Sequence, residues 1–128
     1  MNIAPTPKTI LILDDDRTWR EIAAAVLEKR GFAVVAAETL DEALAQIDNG
    51  TLPAVAIVDL VMPRENGIQA VASIRKRSRD IAILGMSGSF DSYRTGGSAM
   101  RLAGADEILA KQAGPAELAA AVERLAVG

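Results

Sequence analysis

The chain has 128 residues, 24% of them charged and 50% apolar, with a formal charge of −3 and a pI near 4.9. That length suits one domain able to bury its own core, and the acidic balance argues against nucleic acid, whose phosphates need a basic face. There is no Cys and no His, which excludes Cys/His zinc sites, thiol nucleophiles and imidazole bases and leaves carboxylates, hydroxyls and lysines for any chemistry.

Residues 1–8 read as a flexible lead-in with Pro5 and Pro7. They lack the basic and apolar regions of a signal peptide, and no later apolar run approaches membrane-spanning length, so a cytoplasmic protein with no membrane partner is expected. Thr9-Ile10-Leu11-Ile12-Leu13 is a continuous apolar run ending in Asp14-Asp15-Asp16. A helix should follow, with Asp16 as N-cap and Trp19, Ile22, Ala23, Val26 and Leu27 on one face until Gly31 stops it. Phe32 to Ala36 is the next strand. Thr39-Leu40-Asp41-Glu42 has the capping-box pattern, followed by Ala43, Leu44 and Ile47 at helical spacing and Gly50 as terminator.

The organising stretch comes next. Ala54-Val55-Ala56-Ile57-Val58 is apolar without alternation, as in a strand covered by helices on both faces, and it ends in Asp59. After Pro63 and Gly67 a helix carries Ile68, Val71 and Ile74 inward, with Arg75-Lys76-Arg77 near its carboxyl end, where cations suit the dipole. Ile81 to Met86 is a fourth strand ending in Ser87-Gly88-Ser89. Phe90 to Gly97 is polar and contains Gly96-Gly97, so a long mobile loop is expected before a short helix that ends ahead of Gly104. Glu107 to Ala110 is a fifth strand with Lys111 at its end, and Gly114-Pro115 opens a last helix with Leu118, Val122 and Leu125 inward.

Five strand–helix units in alternation imply an α/β fold with a doubly wound, five-stranded parallel sheet and helices on both faces. In the flavodoxin-like order 2-1-3-4-5 the first and third strands are neighbours, which brings Asp14 and Asp15 beside Asp59 at the carboxyl edge, where such sheets bind ligands. Ser87 and Lys111 end two further strands at the same edge. Singly these residues have plainer roles as caps, turn formers or solvated side chains; their joint placement points to a site. Clustered carboxylates raise one another's pKa unless a cation joins them, and Mg²⁺, which accepts one or two carboxylates plus water and phosphate, is the natural one. Lys111 and Ser87 would then supply charge and a hydrogen bond to a phosphoryl group, with Asp59 as nucleophile forming an acyl phosphate.

With these pieces in place, the sequence resembles the receiver domain of two-component response regulators, in its single-domain, chemotaxis-regulator-like form, over residues 9–128. The matching motifs are Ile10-Leu11-Ile12-Leu13-Asp14-Asp15, Asp59-Leu60-Val61-Met62-Pro63 with Gly67, Ser87-Gly88, Ala103-Gly104-Ala105 and Lys111. The intervals from Asp15 to Asp59 and from Asp59 to Lys111 fit the family's layout. The resemblance implies a phosphorylation-controlled signalling switch, not an enzyme beyond Mg²⁺-dependent self-phosphorylation and autodephosphorylation. Asp59 would accept phosphate from a histidine kinase or histidine phosphotransfer protein. Asp14, Asp15, Asp59 and the backbone carbonyl of Val61 would hold Mg²⁺, while Ser87 and Lys111 contact the phosphoryl group. A downstream protein partner would read the altered surface.

The departures from the family fall on the output side. Ile108 occupies the fifth-strand position where the family usually has Tyr or Phe, and Gln112 replaces the usual Pro after the lysine, removing the reason for a cis peptide there. Ser89, Phe90, Tyr93 and the two glycines make an unusual loop, and Tyr93 is a candidate output residue alongside Ser87 and Ile108. Trp19 either covers the edge of the core or docks a kinase. Two other readings follow from the residues: a receiver-shaped adaptor that works without phosphorylation, and a haloacid-dehalogenase-like phosphatase using Asp14-Asp15-Asp16-Arg17-Thr18 as its Asp-x-Asp-x-Thr motif. The second fits poorly downstream, where Lys111 comes last.

Overall fold

Five apolar runs become the strands of one parallel sheet: β1 (Thr9–Leu13), β2 (Ala33–Ala37), β3 (Val55–Asp59), β4 (Ala82–Ser87) and β5 (Glu107–Ala110). Their order is 2-1-3-4-5, with every neighbouring pair parallel. The computed structural model describes residues 6–63, 65–88 and 98–127. The segment holding Ser89, Phe90, Tyr93, Gly96 and Gly97, expected to carry output, lies outside the described residues.

Successive strand residues face opposite sides of the sheet, and the helices divide accordingly. Ile10, Ile12, Val55, Ile57, Leu84 and Met86 pack against α1 (Arg17–Lys29) and α5 (Pro115–Ala126) through Ala23, Leu27, Leu118 and Val122. Leu11, Leu13, Ala56, Val58, Ile83 and Ile108 pack against α2 (Leu40–Asp48), α3 (Gly67–Arg77) and α4, described over residues 98–103, through Ala43, Ile47, Val71, Ile74 and Met100. Each face of the sheet therefore has its own apolar core, which is why the strands read as unbroken apolar runs.

The helix starts follow local hydrogen bonding. Asp16 accepts from the Trp19 N–H and Thr39 from the Glu42 N–H, while the Glu42 carboxylate reaches back to the Glu38 N–H. Gly31 and Gly50 follow α1 and α2 at φ of 91° and 100°, a conformation open to glycine at little cost. Three expectations shift. The second and fourth strands each begin and end one residue later than Phe32–Ala36 and Ile81–Met86. Ile22, expected inward, is 53% exposed, because the buried stripe of α1 follows Ala23 and Leu27 and leaves Ile22 on its flank. Lys8, placed in the flexible lead-in, already accepts from the Ala33 N–H at 3.0 Å and so joins the sheet edge.

One side chain ties the far edge of the sheet together. The Arg75 guanidinium donates to the carbonyls of Arg79 at 3.0 Å, Ile81 at 2.7 Å and Gly104 at 2.8 Å, and to the Asp106 carboxylate at 2.9 Å. Asp106 in turn accepts from the Ile83 N–H at 2.8 Å. A planar, forked donor suits this role, and it joins the turn before β4 to the turn before β5. These two strands deliver Ser87 and Lys111.

Candidate functional site

The carboxyl ends of β1, β3, β4 and β5 place Asp14, Asp59, Ser87 and Lys111 at one edge of the sheet. Asp14 and Ser87 are fully buried and Asp59 is 4% exposed. The backbone sets these positions. The Asp14 N–H donates to Ala37 O at 3.2 Å and the Leu60 N–H to Met86 O at 2.8 Å, continuing the ladders past the strand ends. Arg20 of α1 donates to the Asp14 carbonyl at 2.7 Å, and Asp14 Oδ1 accepts from the Asp16 N–H at 2.8 Å.

After Asp59 the chain makes a small antiparallel ribbon, Val61–Met62 with Glu65–Asn66, that the sequence reading missed. Asn66 then caps α3 by accepting from the Ile68 N–H at 2.8 Å. Gly67 is required by close approach. A Cβ there would lie 2.3 Å from the Asp59 carbonyl oxygen and 2.6 Å from Leu60 Cα, so the absence of a side chain lets α3 press against the turn that carries Asp59. Glu65 accepts from the Leu40 N–H at 2.8 Å, linking this turn to the start of α2.

Carboxylate oxygens of Asp14, Asp15 and Asp59 all lie within 4.8 Å of one another. Lys111 Nζ stands 2.6 Å from Asp14 Oδ2 and 3.4 Å from Asp59 Oδ2. Burial pushes the Asp59 carboxyl up, and Asp14 adds to the effect; the Lys111 charge and the Val61 N–H oppose them, leaving Asp59 raised from 3.8 to about 6. For Lys111, burial acts downward, but Asp14 and then Asp59 outweigh it and raise the ammonium above 10.5. The site thus holds more negative charge than its lysine compensates.

The donor set fits a hard divalent cation. Asp14 Oδ2 is buried, and no hydrogen bond of good geometry satisfies it; the Lys111 ammonium stands 2.6 Å away. An oxygen in that condition, beside two more carboxylates, favours a cation that takes oxygen ligands. Of the residues expected at the site from sequence, Asp14, Asp15, Asp59 and Lys111 lie together, Ser87 ends β4 at the same sheet edge, Val61 follows in the turn with its N–H on Asp59, and Tyr93 falls outside the described residues. Ile108 is buried behind β4, where a Cβ on Gly85 would lie 2.8 Å from Ile108 Cδ1 and from Met100 Sδ. Gln112, in the turn Lys111–Ala113, donates to Gly88 O at 2.6 Å and bridges the loops after β4 and β5. Among the described residues there is no cis peptide. Trp19, for which the sequence offered core cover or kinase docking, lies over Lys111, with Nζ 4.9 Å from the ring centroid, a contact the sequence did not point to.

An acidic cluster opposed by a lysine at the carboxyl edge of a 2-1-3-4-5 sheet defines a receiver-type site. The family profile of the response regulator receiver domain matches residues 10–123, and the chain belongs to that family. It is 32% identical over 106 residues to the photosynthetic apparatus regulatory protein RegA of Rhodobacter capsulatus, covering 83% of this chain and 56% of the relative. Over 119 residues it is 31% identical to the phosphate regulon transcriptional regulatory protein PhoB of Escherichia coli, covering 91% of this chain and 50% of PhoB. The chain thus spans about half the length of these relatives. Among solved structures, a CheY-like receiver domain from Methanospirillum hungatei superposes with a TM-score of 0.84 at 25% identity, covering 94% of both chains. The Thermotoga maritima response regulator TrrA, in complex with Mg²⁺ and BeF, gives 0.80 at 29% identity, covering 92% of this chain and 98% of TrrA. Family membership speaks against the haloacid-dehalogenase-like reading. Among the described residues no helix is long and apolar enough to cross a membrane.

Proposed function

We propose that this receiver domain is a phosphorylation-controlled switch whose acceptor is Asp59. The observation that carries the reading is the cluster of Asp14, Asp15 and Asp59 carboxylates within 4.8 Å, faced by Lys111 at the open edge of the sheet. Asp14, Asp15, Asp59 and the Val61 carbonyl would hold Mg²⁺, which when bound neutralises charge on the phosphoryl oxygens. Asp59 attacks phosphorus in line as the donor's P–N bond breaks, and the electron pair leaves with the histidine nitrogen of a kinase or phosphotransfer protein. Lys111 exchanges part of its contact with Asp14 for a phosphoryl oxygen, and the Ser87 hydroxyl donates to another. That draws on the β4 loop, where Gln112 already grips Gly88, and a downstream protein partner reads the change. The cytoplasm, where such kinases present their phosphohistidine, is the compartment this reading implies.

The test is intact mass after incubation with acetyl phosphate, for the wild type and Asp59→Ala, with and without Mg²⁺. A phosphate-sized gain that needs both Asp59 and Mg²⁺ is expected. No gain with any donor, alongside demonstrated Mg²⁺ binding, would turn the reading toward an adaptor that works unphosphorylated, which the buried Ile108 in place of an aromatic would suit.

A further inference from the structure

Four contacts close a ring through the site. Asp14 Oδ1 accepts from the Asp16 N–H at 2.8 Å, Asp16 Oδ1 accepts from the Trp19 N–H at 3.2 Å, the Trp19 indole lies 4.9 Å from Lys111 Nζ, and Lys111 Nζ returns to Asp14 Oδ2 at 2.6 Å. The helix cap that starts α1 thereby also sets the Trp19 backbone at the position from which its indole reaches the lysine. An ammonium within about 6 Å of an indole centroid is attracted by the ring's negative face. The Lys111 side chain is only 20% exposed, and Trp19 forms with Met86, Gly114, Pro115 and Leu118 a largely apolar cavity of about 190 Å³ on its flank. A lysine has four rotatable bonds and a strong preference for water; here its route toward α1 and α5 is walled by the indole and apolar side chains.

We propose that Trp19 is the positioning residue for Lys111, holding the ammonium between the indole face and the Asp14 and Asp59 carboxylates so that it is in place when a phosphoryl group arrives. The role of Lys111 rests on the function proposed above, whereas the clamp is a property of the unmodified protein. Pre-placing a flexible cation removes its ordering cost from the transition state. Its indole acts on the site through the lysine.

Two measurements on Trp19→Phe and Trp19→Leu test this. In the unphosphorylated protein, the Lys111 ε-methylene protons should show an upfield ring-current shift by NMR, retained in Trp19→Phe and lost in Trp19→Leu. Their appearance at ordinary lysine positions in the wild type would overturn the clamp, whatever the fate of the phosphorylation reading. With acetyl phosphate and Mg²⁺, Trp19→Leu should be phosphorylated about threefold to tenfold more slowly and Trp19→Phe close to normally, in line with the strength of a partly buried cation–π contact. In a Lys111→Met background the Trp19→Leu effect should vanish; an equal slowing there would show that the indole acts on the fold at large and would overturn the proposal. A wild type that accepts no phosphate would count against the acceptor reading, leaving the NMR result to decide the clamp.

Discussion

Lys111 Nζ sits closer to Asp14, at 2.6 Å, than to Asp59, at 3.4 Å. The ammonium is thus shared unequally, and the larger part of its charge goes to the fully buried carboxylate at the end of β1. Its pull on Asp59 is still one of the few influences that keep that carboxyl from rising further.

Lys111→Met should therefore raise the Asp59 carboxyl above its value of about 6. Titration of the carboxyl carbon by NMR, in metal-free buffer, measures it directly. A fall on losing the lysine would contradict that electrostatic balance.

Stability should respond to the same carboxyl. Its folded value of about 6 lies above the ordinary 3.8, so between those limits the native state binds more protons than the unfolded chain, and stability falls as pH rises through the window. Above pH 6 the ionised, buried Asp59 weighs against the fold. Asp59→Asn should then be more stable than the wild type at pH 8 without metal, by roughly 1–3 kcal/mol, with the gap closing toward pH 4. Urea denaturation at the two pH values decides it, and a gap that widens on acidification would refute it.

Mg²⁺ should offset that same penalty. At pH 8 it is expected to stabilise the wild type, by about 2.7 kcal/mol at a hundredfold excess over its Kd, and removing it with EDTA should reverse the gain. The effect should weaken as pH falls below about 6, where Asp59 takes up its proton, and should be lost in Asp14→Asn. Thermal melts with Ca²⁺ and Mg²⁺ compared at equal ionic strength separate specific binding from screening.

Gly67→Ala places a methyl group where the Asp59 carbonyl oxygen and Leu60 Cα leave no space. Because backbone rather than a flexible side chain stands in the way, the cost should be at the upper end of the roughly 1–3 kcal/mol typical of overpacking, and the turn carrying Asp59 must move. Both the unfolding midpoint and the phosphorylation rate should drop; an unchanged midpoint would mean that the turn is more pliant than its contacts suggest.

Gly85 and Ile108 should be coupled in the same sense but more gently, since the obstructing atoms are the ends of flexible side chains. Gly85→Ala meets Ile108 Cδ1 and Met100 and is expected to cost about 1–3 kcal/mol. Ile108→Val deletes that Cδ1 and alone costs about 0.5–1.5 kcal/mol. In the double variant the two losses should be less than additive, as a double-mutant cycle would register.

Much of this site is legible in the sequence, for one topological reason. In a parallel sheet all strands end at the same edge, so the residues that terminate the apolar runs, Asp14, Asp59, Ser87 and Lys111, had to converge once the runs were recognised. The capping residues Asp16 and Thr39 were readable because their partners lie three residues on. The Arg75 network was not, since its acceptors are loop carbonyls, which every residue possesses and no residue type marks. The ribbon Val61–Met62 with Glu65–Asn66 is too short for any periodicity to show. Neither Ile22's exposure nor Trp19's position over Lys111 follows from helical spacing, because both depend on how α1 is rotated against α5 and the β5 turn. The bond from Gln112 to Gly88 spans two loops and left no local signal.

Trp19 is the chain's single tryptophan, accompanied by one tyrosine and two phenylalanines. Its emission therefore comes from one place, 4.9 Å from the ammonium at the heart of the acidic cluster. The protein carries its own optical probe, so that titrations with cations, phosphoryl mimics or donors can be followed by fluorescence on unlabelled, unmutated material, with the signal arising beside the group whose movement is in question.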